Sequence, residues 1–106
     1  MKLLAVCISD PKPTPAKSGL TGHFKDPVSA PVWIGETGLD GDHICDLANH
    51  GGVDQAVYLF GLRDQAYWAK RYDKSLNAGF FGENLLIDGL ASADLCIGDI
   101  VTVGDC

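Results

Sequence analysis

The sequence lacks long apolar runs and any excess of positive charge. No apolar segment approaches the roughly 20 residues that a membrane-spanning helix requires. The first apolar run ends at Ser9, too soon for a signal-peptide core of about 7–15 residues plus a cleavage site. We therefore interpret it as a first strand and expect a cytoplasmic protein. The net charge of −6 argues against general nucleic-acid or anionic-membrane binding, because such surfaces cluster Lys and Arg.

Closely spaced cysteine pairs are also absent. The four cysteines stand far apart, at positions 7, 45, 96 and 106. Without a secretion signal, we expect reduced thiols rather than a disulfide framework, and we interpret Cys7 and Cys96 as small buried hydrophobes. The chain contains neither a phosphate-binding P-loop sequence nor a serine or cysteine nucleophile in a diagnostic context.

The residues that are present predict one mainly β domain with one helix. A chain of 106 residues with 46% hydrophobic and 21% charged residues suits a single globular core without internal repeats. Short apolar segments bounded by glycine and proline predict strands, and the pattern indicates a barrel-like β domain. The predicted strands cover residues 3–8, 28–34, 43–45, 56–60, 83–88 and 100–103, with residues 56–60 as a buried central strand.

The one predicted helix runs from Leu62 to Tyr72. Asp64 near its start and Lys70 near its end suit the helix dipole. A single apolar face is expected to pack against the sheet; its members are Leu62, Ala66, Ala69 and Tyr72.

Two glycine-punctuated loops carry the residue types of a binding site. Residues 38–42 read GLDGD, and residues 50–58 read HGGVDQAVY. In the second loop, Gly51 and Gly52 can present consecutive backbone N–H groups to an anionic oxygen, while His50 can donate to that oxygen or shuttle a proton. A glycine turn capped by a hydrogen-bonded histidine is the alternative interpretation.

Carboxylates in these loops have two interpretations. Asp54 or Asp42 could fix the tautomer of His50 and raise its basicity, or either could bond turn amides. Later in the chain, Glu83 and Asn84 offer a charge, a donor and an acceptor at a strand start, where a hydrogen-bonded strand entry is the alternative. A zinc site of His43, Cys45, Asp46 and His50 is disfavoured because close-spaced ligand pairs are missing.

Together with GHFKDPV at residues 22–28 and GFFGENL at residues 79–85, these loops resemble the MOSC domain family, which is related to the C-terminal domain of molybdenum cofactor sulfurase. The similarity is greatest to the bacterial branch linked to resistance against N-hydroxylated purine analogues. The resemblance implies a MOSC-type β-barrel. Because Gly104 and Asp105 form a turn followed only by Cys106, we expect residues 1–106 to be the N-terminal part of one such domain, with the barrel incomplete.

The resemblance implies a site for molybdenum cofactor and reduction of N-hydroxylated compounds. It implies catalytic roles for His50 and Asp54 and no protein metal site. Pyridoxal phosphate is associated with the family only through domain fusions and similarity. The implied cofactor-binding residues are Lys25, Asp42, His50, Gly51, Gly52, Glu83 and Asn84.

One departure from the family pattern bears on activity. The family's reactive cysteine lies in a later Pro-Arg motif, and none of the four cysteines here stands in that context. The chain alone is therefore expected to be inactive. A sulfur or cofactor carrier and a noncatalytic β module remain alternatives. Expected partners are the cofactor, an N-hydroxylated substrate, an electron-donor protein and a second copy through an open sheet edge, with no nucleic acid or membrane.

Overall fold

A four-stranded sheet is the framework of the domain in a computed structural model that describes residues 1–106. Its strand order is β4-β1-β8-β7, and two separate two-stranded ribbons pair β2 with β3 and β5 with β6. The strands are β1 (Lys2–Ile8), β2 (Lys12–Pro13), β3 (Leu20–Thr21), β4 (Asp26–Val28), β5 (Ile34–Gly35), β6 (Gly38–Leu39), β7 (Leu59–Gly61) and β8 (Leu85–Asp88).

Strands β1 and β8 form the centre of this sheet. β1 pairs antiparallel with both β4 and β8, so that Val6 lies opposite Val28 on one side and Leu85 on the other. The apolar stretch at the start of β8 is buried, as expected for a strand covered on both faces. The core cluster is Leu39, Leu85, Ile87 and Leu90.

The only α-helix connects two parallel strands. Helix α1 (Leu62–Tyr72) follows β7 directly and returns the chain to β8, which pairs parallel with β7. The predicted helix bounds are confirmed. The predicted face is partly wrong, because Gln65 is buried while Ala66 and Tyr72 are exposed. Gln65 tolerates burial because its side-chain amide donates to the carbonyl oxygen of Asn77.

Several predicted strands are shorter than expected or absent. The segment at 28–34 contributes only the end of β4 and the start of β5, and residues 43–45 and 100–103 form no strand. Residues 56–58 likewise lie outside β7, which is an edge strand and not a central one. Apolar runs predicted these strands, but a strand also needs a hydrogen-bonding neighbour.

The mainly β character with one helix is confirmed, whereas the barrel is not. The four principal strands form an open sheet with β4 and β7 at its edges. Two short 3-10 helices, Val53–Gln55 and Ser92–Asp94, complete the regular structure. None of the helices is both long and apolar enough to span a bilayer.

Candidate functional site

A cavity of about 740 Å³ lies where three separate segments of the chain meet. The first segment ends at Lys25, directly before β4. The second begins at Asp42, after β6, and the third ends at Asn84, directly before β8. This volume falls within the range of about 300–1,000 Å³ that is usual for small-molecule sites. Predicted site residues from all three segments line the cavity: Lys25, Asp42, His50, Gly51, Asp54 and Asn84.

A buried ion pair between Lys25 and Asp42 forms one wall. The Lys25 Nζ lies 2.6 Å and 2.7 Å from the two carboxylate oxygens of Asp42, and the two side chains are only 7% and 6% exposed. Asp42 also accepts hydrogen bonds from the Ser9 amide at 2.9 Å and from Asn84 Nδ2 at 2.7 Å. Its carboxylate therefore holds three segments together rather than facing a ligand alone.

Asn84 connects this ion pair to the sheet. Its Oδ1 accepts from the Tyr58 amide at 3.0 Å, and its Nδ2 donates to the Cys7 carbonyl oxygen at 3.2 Å as well as to Asp42. The residue is 3% exposed and uses both ends of its amide within the fold. Asn84 lines the cavity mainly as a structural bridge.

Glu83 does not line the cavity. It is fully buried, and its two oxygens accept from the amides of Gly79 at 2.7 Å and Phe81 at 2.9 Å. This is the hydrogen-bonded strand entry that the sequence left open as an alternative. The predicted direct contact of Glu83 with a cofactor is therefore not supported by its position, because its carboxylate shapes the 79–82 loop from behind.

His50 and Gly51 present donors at the cavity surface. His50 is exposed and lines the cavity, and its own amide donates to the Asp46 carbonyl oxygen at 2.9 Å. Gly51, with φ +82°, needs the conformational freedom of glycine, and its amide donates to no group of the chain. One free amide beside an imidazole is a suitable place for an anionic oxygen.

The residues that were predicted to act beside His50 and Gly51 do not hydrogen-bond to them. Gly52 does not line the cavity and instead precedes the 3-10 helix Val53–Gln55. Asp54 lines the cavity from that helix, but no hydrogen bond joins either Asp54 or Asp42 to His50. Of the two interpretations of Asp42, the structure therefore shows bonds to other groups, since its carboxylate accepts from Lys25, Asn84 and the Ser9 amide.

Ser9 and His43, which no sequence pattern connects, meet beside Asp42. Ser9 is 4% exposed, and its Oγ donates to the Gly22 carbonyl oxygen at 2.6 Å. The Ser9 carbonyl oxygen lies 2.8 Å from His43 Nδ1. Only the position of Ser9 directly after the first apolar run could have indicated this role. His23 also lines the cavity, so all three histidines of the chain face it.

Burial and the Glu83 charge suppress ionisation of two nearby groups. Desolvation, reinforced by Glu83, raises the pKa of the Cys7 thiol to about 11. The same two causes raise the pKa of Tyr58, which lines the cavity. Cys7 therefore remains a protonated thiol near neutral pH and is a poor nucleophile.

The four residues of the zinc alternative do not form a ligand cluster. No three His, Cys, Asp or Glu side chains of the chain are grouped closely enough to hold a metal ion. Cys45 and Asp46 do line the cavity with His43 and His50, but without the converging geometry that a structural zinc site needs.

Comparison with known proteins identifies the family. The MOSC domain matches residues 46–106, more than half of the chain, and this stretch includes His50, Gly51 and Asn84 of the cavity. The chain belongs to the MOSC domain family.

Related proteins extend this match toward the N-terminus. The uncharacterized protein YflK of Bacillus subtilis is 36% identical over 80 residues, which cover 76% of this chain and 36% of that protein. Protein YiiM of Escherichia coli is 33% identical over 81 residues, 74% of this chain and 36% of that protein. A Gibberella moniliformis protein described as a reductase is 29% identical over 85 residues, 77% of this chain and 15% of that protein.

The fold of this chain is similar to that of a solved structure. The crystal structure of YiiM from Geobacillus stearothermophilus superposes with a TM-score of 0.64 at 30% identity and covers 90% of this chain. The match covers 42% of the YiiM chain. This MOSC chain therefore spans about a third of the length of the bacterial relatives it matches, and well under half of the solved structure.

Proposed function

We propose that this MOSC chain carries the cofactor-facing cavity of a molybdenum-cofactor-dependent reductase of N-hydroxylated compounds. The main observation behind this proposal is that residues from three separate segments line one cavity of about 740 Å³. These residues are Lys25, His50, Gly51 and Asn84. A relative described as a reductase supports the reaction class. The substrate class follows from the resemblance to the branch linked to N-hydroxylated purines.

The cavity residues fit the anionic, pterin-bearing part of the cofactor. The free Gly51 amide and the exposed imidazole of His50 supply donors for a phosphate or oxo oxygen. Lys25 contributes less charge than expected because Asp42 neutralises it. When bound, the cofactor would supply the redox chemistry, while the protein binds and orients it.

The residues behind the surface determine the shape of the cavity. Asp42 and Asn84 hold the second and third segments together, and Glu83 positions the loop between Gly79 and Phe81. Pyridoxal phosphate fits less well, because Lys25, the one lysine of the cavity, donates to Asp42 and is not a free amine.

A direct assay tests this proposal. The full-length protein loaded with molybdenum cofactor is supplied with a chemical electron donor and an N-hydroxylated purine, and formation of the parent amine is measured. We expect turnover that falls at least about tenfold in His50→Ala, because an oxyanion-stabilising donor is commonly worth this much or more. Asn49→Ala is the matched control, because Asn49 precedes His50 but does not line the cavity.

Two results would contradict the reductase proposal. One is no turnover above that of the His50→Ala variant, and the other is equal loss in the His50→Ala and Asn49→Ala variants. Circular dichroism of each variant separates a loss of function from a loss of folding.

A sulfur carrier is the second candidate, favoured by the position of Cys45 at the cavity surface. Buried Cys7 is unsuited to this role because its pKa of about 11 keeps it protonated. Mass spectrometry after incubation with a cysteine desulfurase and cysteine would detect a persulfide on Cys45 in this case, and Cys45→Ser would abolish it.

A further inference from the structure

His43 is an exposed residue whose ring is oriented by one hydrogen bond. Its Nδ1 lies 2.8 Å from the Ser9 carbonyl oxygen, and a carbonyl oxygen can only accept a hydrogen bond. The Nδ1 atom must therefore carry the proton, which leaves a lone pair on Nε2 in the neutral imidazole. No other side chain or backbone group of the protein bonds to His43 through its ring.

The group that holds His43 is itself immobilised. The Ser9 amide donates to Asp42 Oδ1 at 2.9 Å, and Ser9 Oγ donates to the Gly22 carbonyl oxygen at 2.6 Å. Gly22 packs so closely that a Cβ there would clash with the His43 carbonyl oxygen. Turning the Ser9 carbonyl group away would disturb the hydrogen bonds of Ser9, and a ring flip that exchanges the two nitrogens would lose the bond from Nδ1.

His43 differs in this respect from the other polar groups of the cavity. Three of these groups bond to each other and to the backbone: Lys25, Asp42 and Asn84. His23 and His50 also line the cavity, but neither ring nitrogen of these residues is held by a hydrogen bond. Among the three histidines that line the cavity, only His43 therefore has its ring oriented by a hydrogen bond, which leaves its Nε2 free to accept.

We propose that His43 Nε2 binds the ligand as a hydrogen-bond acceptor, to which the hydroxyl group of a neutral N-hydroxylated amine donates. The ligand class rests on the proposed function, whereas the acceptor role rests on the Ser9–His43 geometry. An N–OH group offers one strong donor that the parent amine lacks, so His43 would distinguish the two compounds.

The chain offers a matched pair of variants for a test. In His43→Asn, the side-chain amide can replace Nδ1–H as donor to Ser9 while the acceptor at the Nε2 position is removed. In His43→Gln, an amide oxygen can reach the Nε2 position while the bond to Ser9 is lost. Binding of 6-N-hydroxylaminopurine and of adenine to the protein is measured by calorimetry or NMR titration.

We expect His43→Asn to weaken binding of the hydroxylamino compound about fivefold or more, the loss of one net hydrogen bond. Adenine binding should change less than about twofold, and His43→Gln should recover part of the affinity for the hydroxylamino compound. Equal weakening for both ligands, no weakening in His43→Asn, or no binding of the hydroxylamino compound to the unaltered protein would overturn the proposal.

A measurement on the unaltered protein covers the case in which His43→Asn does not fold. Long-range nitrogen–proton NMR reports which ring nitrogen of each histidine carries the proton. We expect protonated Nδ1 and unprotonated Nε2 for His43, with a change in the Nε2 shift when the hydroxylamino compound binds. A protonated Nε2 in the neutral ring, or an unchanged shift on binding, would refute the acceptor role. Binding without turnover would leave this inference intact while contradicting the reductase proposal.

Discussion

At the scale of single residues, the cavity is built from buried polar groups whose hydrogen bonds are all satisfied. No buried side-chain nitrogen or oxygen lacks a partner, which is the usual state of native proteins. Asn84 and Asp42 reach this state by bonding to segments distant in sequence, whereas Glu83 bonds to the amides of Gly79 and Phe81 in the loop just before it. Their conspicuous residue types therefore reflect architecture as much as ligand binding.

The first prediction concerns the Lys25–Asp42 pair. Asp42→Asn should lower the free energy of unfolding by about 3–5 kcal/mol, because it leaves a buried ammonium without its countercharge. The measurement is urea unfolding followed by circular dichroism. Asp40→Asn, two residues away at an exposed site whose carboxylate makes no hydrogen bond, should change stability by less than about 0.5 kcal/mol. Equal effects of both substitutions would contradict the buried pair.

The second prediction concerns the Cys7 thiol and alkaline pH. The thiol pKa rises from 9.0 to about 11 on folding, so above the lower value the unfolded chain releases a proton that the folded protein retains. Stability should therefore be unaffected by this group below pH 9.0 and should fall as pH rises toward 11. The total effect is at most about 3 kcal/mol, since each of the two units of pKa corresponds to about 1.4 kcal/mol.

Comparison of variants isolates this contribution from other alkaline titrations. Urea unfolding at several pH values should show the extra decline in the unaltered protein and not in Cys7→Ala. Cys96→Ala should decline like the unaltered protein, because Cys96 is exposed and the buried position predicted for it is wrong. An identical pH dependence in all three proteins would contradict the assigned shift.

At the scale of elements, the helix and the strands depend on different information. Helix α1 (Leu62–Tyr72) begins after Gly61 and places Asp64 and Lys70 at suitable ends, which are local signals. Strands depend on partners, so the apolar run at 56–60 yields only the short edge strand β7. The segment at 100–103 has no neighbouring strand and forms none, although Ile100 and Val101 favour extended structure.

The third prediction concerns the end of α1. Asp73 adopts a left-handed conformation with φ 52° and ψ 46°, which costs a residue with a Cβ roughly 1 kcal/mol. Asp73→Gly should therefore raise the free energy of unfolding by about 1 kcal/mol, measured by urea unfolding. The control, Asp73→Ala, removes the carboxylate while keeping the Cβ, so it should gain less. Greater stability of the alanine variant would contradict the prediction.

At the scale of the whole molecule, a small buried centre supports a large irregular periphery. Leu85, Leu86 and Ile87 are at most 5% exposed, whereas Ile97 and Ile100 are almost fully exposed. The cavity is lined mainly by loops and by β3, with Asn84 directly before β8 as its nearest approach to the central strands. The expected cytoplasmic location, electron-donor partner and self-association through a sheet edge stay predictions.

The fourth prediction is a ranking of amide hydrogen exchange. Amides of β8 and β1 should exchange slowest, because opening them disrupts the core, while those of residues 95–106 should exchange within the shortest labelling times. Mass spectrometry of peptides after timed deuterium labelling gives this ranking. Protection of residues 95–106 equal to that of β8 would show that another surface covers Ile97 and Ile100 in solution.

The sequence by itself determined the mainly β class, the bounds of α1, the family and six of the 23 residues that line the cavity. These features depend on local periodicity, on glycine conformations and on motifs read along the chain. Lys25, His50 and Gly51 could be found this way because their residue types and neighbours are distinctive.

Only the tertiary structure decided which side chains meet. The pairing of Lys25 with Asp42, the bridge from Asn84 to Asp42 and the bond from His43 to Ser9 join residues 17, 42 and 34 positions apart. Sequence patterns supply donors and acceptors, but their partners are set by how the loops pack around the sheet. For this reason the sequence could not decide between the two interpretations of Asp42, and the oriented ring of His43 became visible only in three dimensions.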